Sequence, residues 1–130
     1  MVEIEDLLRE YMEFPNFDGI HLVDVNQRGN FGDRPIHLAA SRGNVSELNT
    51  LIRSGADINL PGEHAFSAIH LAVLRGNYEA VRVLVRAGAN LSAKTDDGET
   101  PLDLARTCQE INKPDERRNI LLFLEALIAP

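Results

Sequence analysis

Tryptophan is absent from the chain, and aromatic residues fill only 5% of its 130 positions. A core so poor in rings has to be built from Leu, Ile, Val and Ala, which favours regular small-residue packing over a large central aromatic cluster. There is one cysteine, Cys108, so an internal disulfide and any zinc site made of several cysteines are excluded. Arg106 is its only cation nearby in sequence, and a small buried or half-buried thiol is expected rather than a nucleophile. Long apolar runs are lacking too. The longest, Ile120 to Ala129, is broken by Glu125 and is too short and polar to span a bilayer. The opening Met1-Val2-Glu3-Ile4-Glu5-Asp6 is acidic where a secretory signal would be basic and then apolar. The expectation is a soluble, cytoplasmic protein. Positive charge is in deficit: thirteen Lys and Arg against twenty Asp and Glu give a net charge of −7, which opposes binding to a phosphate backbone.

What the chain does contain is 44% hydrophobic and 25% charged residues, the balance of one folded domain. It also contains an internal repeat. Pro35-Ile36-His37-Leu38-Ala39-Ala40-Ser41-Arg42-Gly43-Asn44 returns 33 residues later as Ala68-Ile69-His70-Leu71-Ala72-Val73-Leu74-Arg75-Gly76-Asn77. The same offset carries Ser54-Gly55-Ala56-Asp57-Ile58-Asn59 onto Ala87-Gly88-Ala89-Asn90-Leu91-Ser92, and a third copy opens with Gly98-Glu99-Thr100-Pro101-Leu102-Asp103-Leu104-Ala105. Each copy reads as turn, helix, helix, loop. Gly32 and Gly98 mark the turn, with Ala65 as a weaker equivalent. Thr100 suits an N-cap and Pro101 the first helical position, where no backbone donor is needed. Gly43 and Gly76 stop the first helix by taking the left-handed cap. Leu48, Leu51 and Ile52, then Val81, Leu84 and Val85, mark one face of the second helix, which Gly55 and Gly88 end. One such pair cannot bury both faces, whereas stacked pairs share a continuous core. Ile36, Leu51, Ile69 and Leu84 are expected inside it.

These residues resemble the ankyrin repeat, whose motif runs Gly-x-Thr-Pro-Leu-His-x-Ala-Ala, a Gly turn, a Val/Leu-rich helix and Gly-Ala-Asp-x-Asn. The resemblance covers about residues 26 to 128. It implies an all-α solenoid of helix-turn-helix units with a degenerate N-terminal cap. The expected segments are 1–28 as capping helix and partial repeat, 29–61 and 62–94 as repeats, and 95–130 as a C-terminal capping repeat with a short insertion. Three departures stand out. Arg34 replaces the Thr, so the first cap needs another acceptor; Ser67-Ala68 replaces Thr-Pro; and Asp103 replaces the His, removing one turn-bracing hydrogen bond.

The ends are atypical. Residues 3 to 12 read as a helix with Ile4, Leu7, Leu8 and Tyr11 on one stripe and Glu3, Glu5, Asp6 and Glu10 toward water. Glu13 to Gly19 reads as a loop, and Val23-Asp24-Val25-Asn26 resembles the loop after a second helix. In the third copy Asn112-Lys113-Pro114-Asp115 is a breaker, and the apolar face returns at Ile120, Phe123, Leu124 and Leu127. About six extra residues are expected to protrude there as a loop.

No catalytic constellation is visible. His37 and His70 fill the repeat's fixed His position, where the ring ties the helix start to neighbouring backbone. His21 and His64 complete the four histidines, without further ligands at metal-binding spacing. There is no His-Glu-x-x-His, P-loop or dinucleotide glycine pattern, and Gly29-Asn30-Phe31-Gly32 reads as a turn. The expectation is a non-enzyme with no cofactor and no metal, a monomer when free, whose partner is another protein rather than nucleic acid or membrane.

The resemblance further implies that the turns project as fingertips and that the first helices line a concave side where partners bind. The residues it places there are Arg28, Asn30, Phe31 and Asp33, then Glu63, His64 and Phe66, then Lys94, Asp96, Asp97 and Glu99. On the first helices they are Ser41, Arg42, Leu74, Arg75, Arg106 and Thr107. Phe31 and Phe66 stand where the core requires no aromatic. Arg42, Arg75 and Arg106, one per repeat, are expected to form a basic strip with the two rings at its edge, a groove for a protein surface with carboxylates around an apolar centre. The expected role is inhibition of a partner, for example as the immunity protein of a bacterial toxin, or alternatively an adaptor joining two proteins.

Overall fold

The computed structural model describes residues 3–107 and 114–128. Cys108 and Asn112-Lys113 lie outside the described residues, and with them the expectations about the thiol and the first part of the insertion. Among the described residues seven α-helices follow one another: α1 (Ile4–Tyr11), α2 (Pro35–Arg42), α3 (Val45–Arg53), α4 (Ala68–Leu74), α5 (Tyr78–Arg86), α6 (Pro101–Thr107) and α7 (Pro114–Ile128). Two single 3-10 turns, Pro15–Phe17 and Glu63–Ala65, complete the regular structure, and no strand occurs among the described residues. None of these helices is long and apolar enough to cross a membrane.

The helix boundaries have local causes. Proline opens α2, α6 and α7, the position at which a missing N–H costs nothing. Gly43 ends α2 with φ +68°. A Cβ on Gly43 would also stand 2.5 Å from the Asn77 side chain, which donates to the Ala40 carbonyl at 3.2 Å, so a larger residue here would strain the backbone and displace that side chain. Asn44 then caps α3, its Oδ1 accepting from the Glu47 amide at 3.0 Å. At α6 the Asp103 amide donates to Thr100 Oγ1 at 3.2 Å.

The first helices α2, α4 and α6 stack in one row, the second helices α3, α5 and α7 in another, and α1 packs on α3. Between the rows lie Ile36, Leu48, Leu51, Ile69, Val81, Leu84, Ile120 and Leu124, all buried. The four side chains expected in the core are therefore there.

Both ends depart from expectation. Aromatics are few, yet three gather at the start. The Tyr11 and Phe17 rings stack with centroids 6.4 Å apart, and Phe14 meets Tyr11 edge-on at 6.1 Å. Phe17 is fully buried, so the segment after α1 is a packed turn rather than a free loop. Gly29 belongs to the same cluster: a Cβ there would come 2.7 Å from the Phe17 ring. At the other end, Pro114-Asp115-Glu116 is not a protruding loop. It forms the first turn of α7, which has 15 residues where α3 and α5 have 9. Aligned on the buried Leu84 and Leu124, four of the added helical positions lie at the start of α7 and two at its end. Pro114 acts there as an opening residue, not as a breaker. The lengthening has a use, because Glu116 Oε2 accepts the Tyr78 amide at the start of α5, 3.2 Å away.

Candidate functional site

Three tight turns precede α2, α4 and α6 and project as fingers. Each is closed by a bond between residues four apart at the same register: Gly29 N–H to Asp33 O at 2.6 Å, Gly62 to Phe66 at 2.8 Å, and Thr95 to Glu99 at 2.9 Å. Gly32 and Gly98 take φ +90° and +80°. Finger two has Ala65 at that register, with φ +61°, and His64 before it is also left-handed at φ +56°. Adjacent fingers are tied. The Glu63 amide donates to Asp33 Oδ1 at 3.0 Å, and the Asp96 amide donates to the His64 carbonyl at 3.0 Å.

Below the fingers, histidines brace the helix starts. His37 Nδ1 accepts the Arg34 amide at 2.8 Å, which leaves the proton on Nε2, and that nitrogen donates to Leu60 O at 2.9 Å. The His37 amide, which a threonine hydroxyl would have accepted, donates to the Arg34 carbonyl at 3.0 Å. The Arg34 guanidinium donates to the Asn26 and Pro61 carbonyls. His70 Nδ1 accepts the Ser67 amide at 3.1 Å, and its Nε2 donates to Glu99 O at 3.0 Å. Burial pulls both imidazoles below their ordinary range, in keeping with these neutral tautomers. Asp103 keeps half of the pattern. Its carboxylate accepts the Thr100 amide at 3.1 Å, and the hydrogen bonds from Thr100 hold it below the usual carboxylate range. Among the described residues its carboxylate makes no bond to a following turn.

A second ladder runs through the loops, and the sequence reading overlooked it. Asn26 Oδ1 accepts the Asp57 amide and its Nδ2 donates to Gly55 O. One repeat on, Asn59 does the same to Asn90 and Gly88. Asp24, Asp57 and Asn90 each accept from the amide two residues on, so the N-terminal loop makes the same turn as the two loops after it. The recurrence of Asn 33 residues apart was the available signal.

The residues expected at the binding face separate into two groups. Phe31 is 54% exposed at the tip of finger one. Arg28, Glu63, His64, Lys94, Asp96 and Asp97 are exposed on the same edge, and Arg75 is exposed at the end of α4. The others are occupied within the fold. Phe66 is half-buried, its ring edge-on to His70 at 5.7 Å, so it is not an exposed fingertip aromatic. Asn30 donates to Pro15 O and Asp18 O; Asp33 ties finger two; Glu99 accepts from Thr107 Oγ1 at 3.3 Å. Ser41 and Leu74 are half-buried.

The arginine strip does not form. The Arg42 guanidinium lies 4.8 Å over the Phe14 ring and 3.7 Å from Glu47 Oε2, at the opposite end of α2 from the fingers. Arg106 pairs with Glu125 of α7 at 3.4 Å. Arg42 and Arg75 are 33 residues apart, but Arg75 and Arg106 only 31, which places Arg106 at the register of the buried Ala40 and Val73. A two-residue slip on a helix turns the side chain by about 200°. The edge that remains is acidic: Asp33, Glu63, Asp96, Asp97 and Glu99 outnumber Arg28 and Lys94. Among the described residues no group of three or more His, Cys, Asp or Glu could hold a metal ion.

Comparison with known proteins agrees with this geometry. A family model described as "Ankyrin repeat" matches residues 31–63, and one described as "Ankyrin repeats (many copies)" matches residues 51–105. No curated protein matches the chain. Repeats of this family mediate binding to other proteins and are typically not enzymes. The two matches together run from 31 to 105, over more than half of the sequence, and the chain belongs to the ankyrin repeat family.

Proposed function

We propose that the protein binds its partner along the finger edge, with Phe31 as the apolar anchor and the acidic tips around it. The observation that carries this reading is the exposure of Phe31 at a tip whose own turn does not bury it. A large ring on a pre-shaped turn loses little freedom when it enters a pocket, which makes it a suitable hot spot. The carboxylates of Glu63, Asp96 and Asp97 favour a partner that is basic around an apolar pocket, the reverse of the carboxylate-lined surface that an arginine strip would have required. Arg75 lies outside that acidic edge and is assigned a rim contact.

We further propose that binding serves to block the partner, as in an immunity or inhibitor protein. The support is the rigidity of the edge: fingers tied to one another by hydrogen bonds can occupy a site without reordering. The test is capture from the native host with wild type and Phe31→Ala in parallel, followed by assay of the captured protein with and without the chain. Specific capture by wild type, weakened in the variant and accompanied by loss of the partner's activity, supports both parts. Equal capture by the variant overturns the anchor. Capture with the partner's activity intact overturns the inhibitory role and favours an adaptor.

A further inference from the structure

Among the described residues, no helix covers the side of α7 that faces away from α5. This helix packs on α5 and α6. Its α5 side is marked by Phe123, edge-on to Tyr78 at 5.9 Å, and by Glu116, which accepts the Tyr78 amide. A helix turns by about 100° per residue, so Arg118, Leu121, Leu122 and Glu125 form one stripe, roughly 160° round from Phe123 and Glu116. Aligned on Leu84 and Leu124, the stripe stands where α5 has Tyr78, Val81, Arg82 and Val85. Val81 is fully buried, whereas Leu121 is half-buried and Leu122 is 56% exposed. Arg118 stands exposed at one end of the stripe. Glu125 stands at the other, its Oε2 accepting from Arg106 at 3.4 Å.

We propose that this stripe is a self-association surface, and that its occupant is a second copy of the chain lying antiparallel along α7. The order of the four side chains carries the proposal. With a two-fold axis between Leu121 and Leu122, Leu121 of each copy meets Leu122 of the other, and Arg118 meets Glu125 at both ends. One sequence read in opposite directions thus supplies an apolar centre and two ion pairs. A parallel arrangement would set Arg118 against Arg118 and Glu125 against Glu125, so charge selects the antiparallel one. A carboxylate can accept from two guanidiniums, and Glu125 would take Arg106 on Oε2 and Arg118 of the second copy on Oε1. Contact along the 15 residues of α7 is about 22 Å long and about 10 Å wide, at the small end for a specific interface. The association is therefore weak, with a dissociation constant on the order of 100 μM. It stands in place of the free monomer that the sequence suggests. Finger one lies at the far end of the stack from α7, so the inference does not depend on the proposed partner.

The test is sedimentation equilibrium of the full chain at low salt, from about 5 μM to about 1 mM, a range that brackets such a constant. Wild type should pass from one copy to two and go no further, because a two-fold contact closes on itself. Arg118→Glu and Glu125→Arg each set like charges opposite one another and should weaken the pairing about tenfold. Mixed in equal amounts, the two variants should pair as tightly as wild type, since each supplies the charges that the other lacks. Leu122→Asp should remove the association and leave the melting temperature nearly unchanged, because this side chain is exposed in the single copy. Wild type that remains a single copy at the top of the range overturns the proposal and gives the stripe to another occupant. Growth beyond two copies overturns it too, and would assign an open head-to-tail contact. So does a mixture that fails to recover although both variants keep the wild-type circular dichroism spectrum and melting temperature.

Discussion

The Asp96 amide donates to the His64 carbonyl at 3.0 Å, and the neighbouring finger shows why a carbonyl has this task. One repeat earlier, the equivalent amide of Glu63 donates to the carboxylate of Asp33. The register position of Asp33 in finger two is Phe66, which has no acceptor and turns its ring onto His70. Where the side chain cannot accept, the backbone of His64 turns left-handed and presents its own oxygen. Ala65 follows it into the same region of conformational space.

That substitution of backbone for side chain predicts a stabilising mutation. Ala65 stands at the register of Gly32 and Gly98 with φ +61°, a conformation disfavoured by a Cβ. Ala65→Gly should raise stability by about 0.5–1 kcal/mol, the strain relieved exceeding the added freedom of the unfolded chain. Urea unfolding measures it. A loss of stability would mean that the finger holds Ala65 at no cost.

The N-terminal cap rests on a buried polar contact. Tyr11 Oη donates to Glu47 Oε1 at 2.6 Å, and Arg42 stands 3.7 Å from the other carboxylate oxygen. Tyr11→Phe keeps the ring stacked on Phe17 but leaves a buried carboxylate short of a donor, which should cost about 1–3 kcal/mol. A variant as stable as wild type would show that the cap is held by its apolar residues alone.

The core needs less argument. Leu84 is fully buried on α5, and truncation to Ala should cost about 2–5 kcal/mol. A change under about 0.5 kcal/mol would place the helix in a different register.

Much of this was legible in the chain, and the failures share a cause. The 33-residue recurrence located α2 to α6, their glycine stops and the buried Ile36, Leu51, Ile69 and Leu84, because repeats encode those features at fixed local positions. Contacts between repeats are not encoded locally. Tyr11 meets Glu47 across 36 positions, and neither residue's neighbours announce the pair. Phe66 could be taken for an exposed ring because the position of its partner His70 depends on the turn's conformation. Pro114-Asp115 was misjudged because proline reads equally as the end of one element and the start of another, and Pro114 opens α7. The arginine strip failed on arithmetic, since Arg106 is out of register with Arg42 and Arg75.

Acidity should weaken the fold before any carboxylate is protonated. Burial holds His37 and His70 below the ordinary imidazole value, so their folded forms resist a proton that the unfolded chain accepts. The unfolded state therefore binds more protons once the pH falls below about 6.5, and stability declines from there downward, while above it this contribution is complete. The urea midpoint should be lower at pH 5.5 than at pH 7.5. Tyr11 works in the other direction. Burial and the Glu47 carboxylate raise its value, so its contribution is present at neutral pH and is lost as pH climbs past about 10, where the unfolded phenol ionises. A midpoint unchanged from pH 7.5 to 5.5 would mean that the histidines gain their protons without disturbing the helix starts.

The phenylalanines of fingers one and two should separate binding from folding. Phe31 is exposed and packs little of its ring into the protein, so Phe31→Ala should leave the melting temperature nearly unchanged and weaken the partner complex by about 1–4 kcal/mol. Phe66 is half-buried against His70, and the core beneath finger two relies on it. Phe66→Ala should lower the melting temperature through lost contact, with any effect on binding following from a loosened finger. Asp96→Asn with Asp97→Asn removes two exposed charges from the same edge, and for a basic partner it should slow association and flatten its salt dependence while the fold stays intact. These three measurements are independent. If Phe31→Ala binds as wild type does and the acidic variant associates at the same rate at low salt, the finger edge is not the contact surface. The row of α3, α5 and α7 is then the face to test.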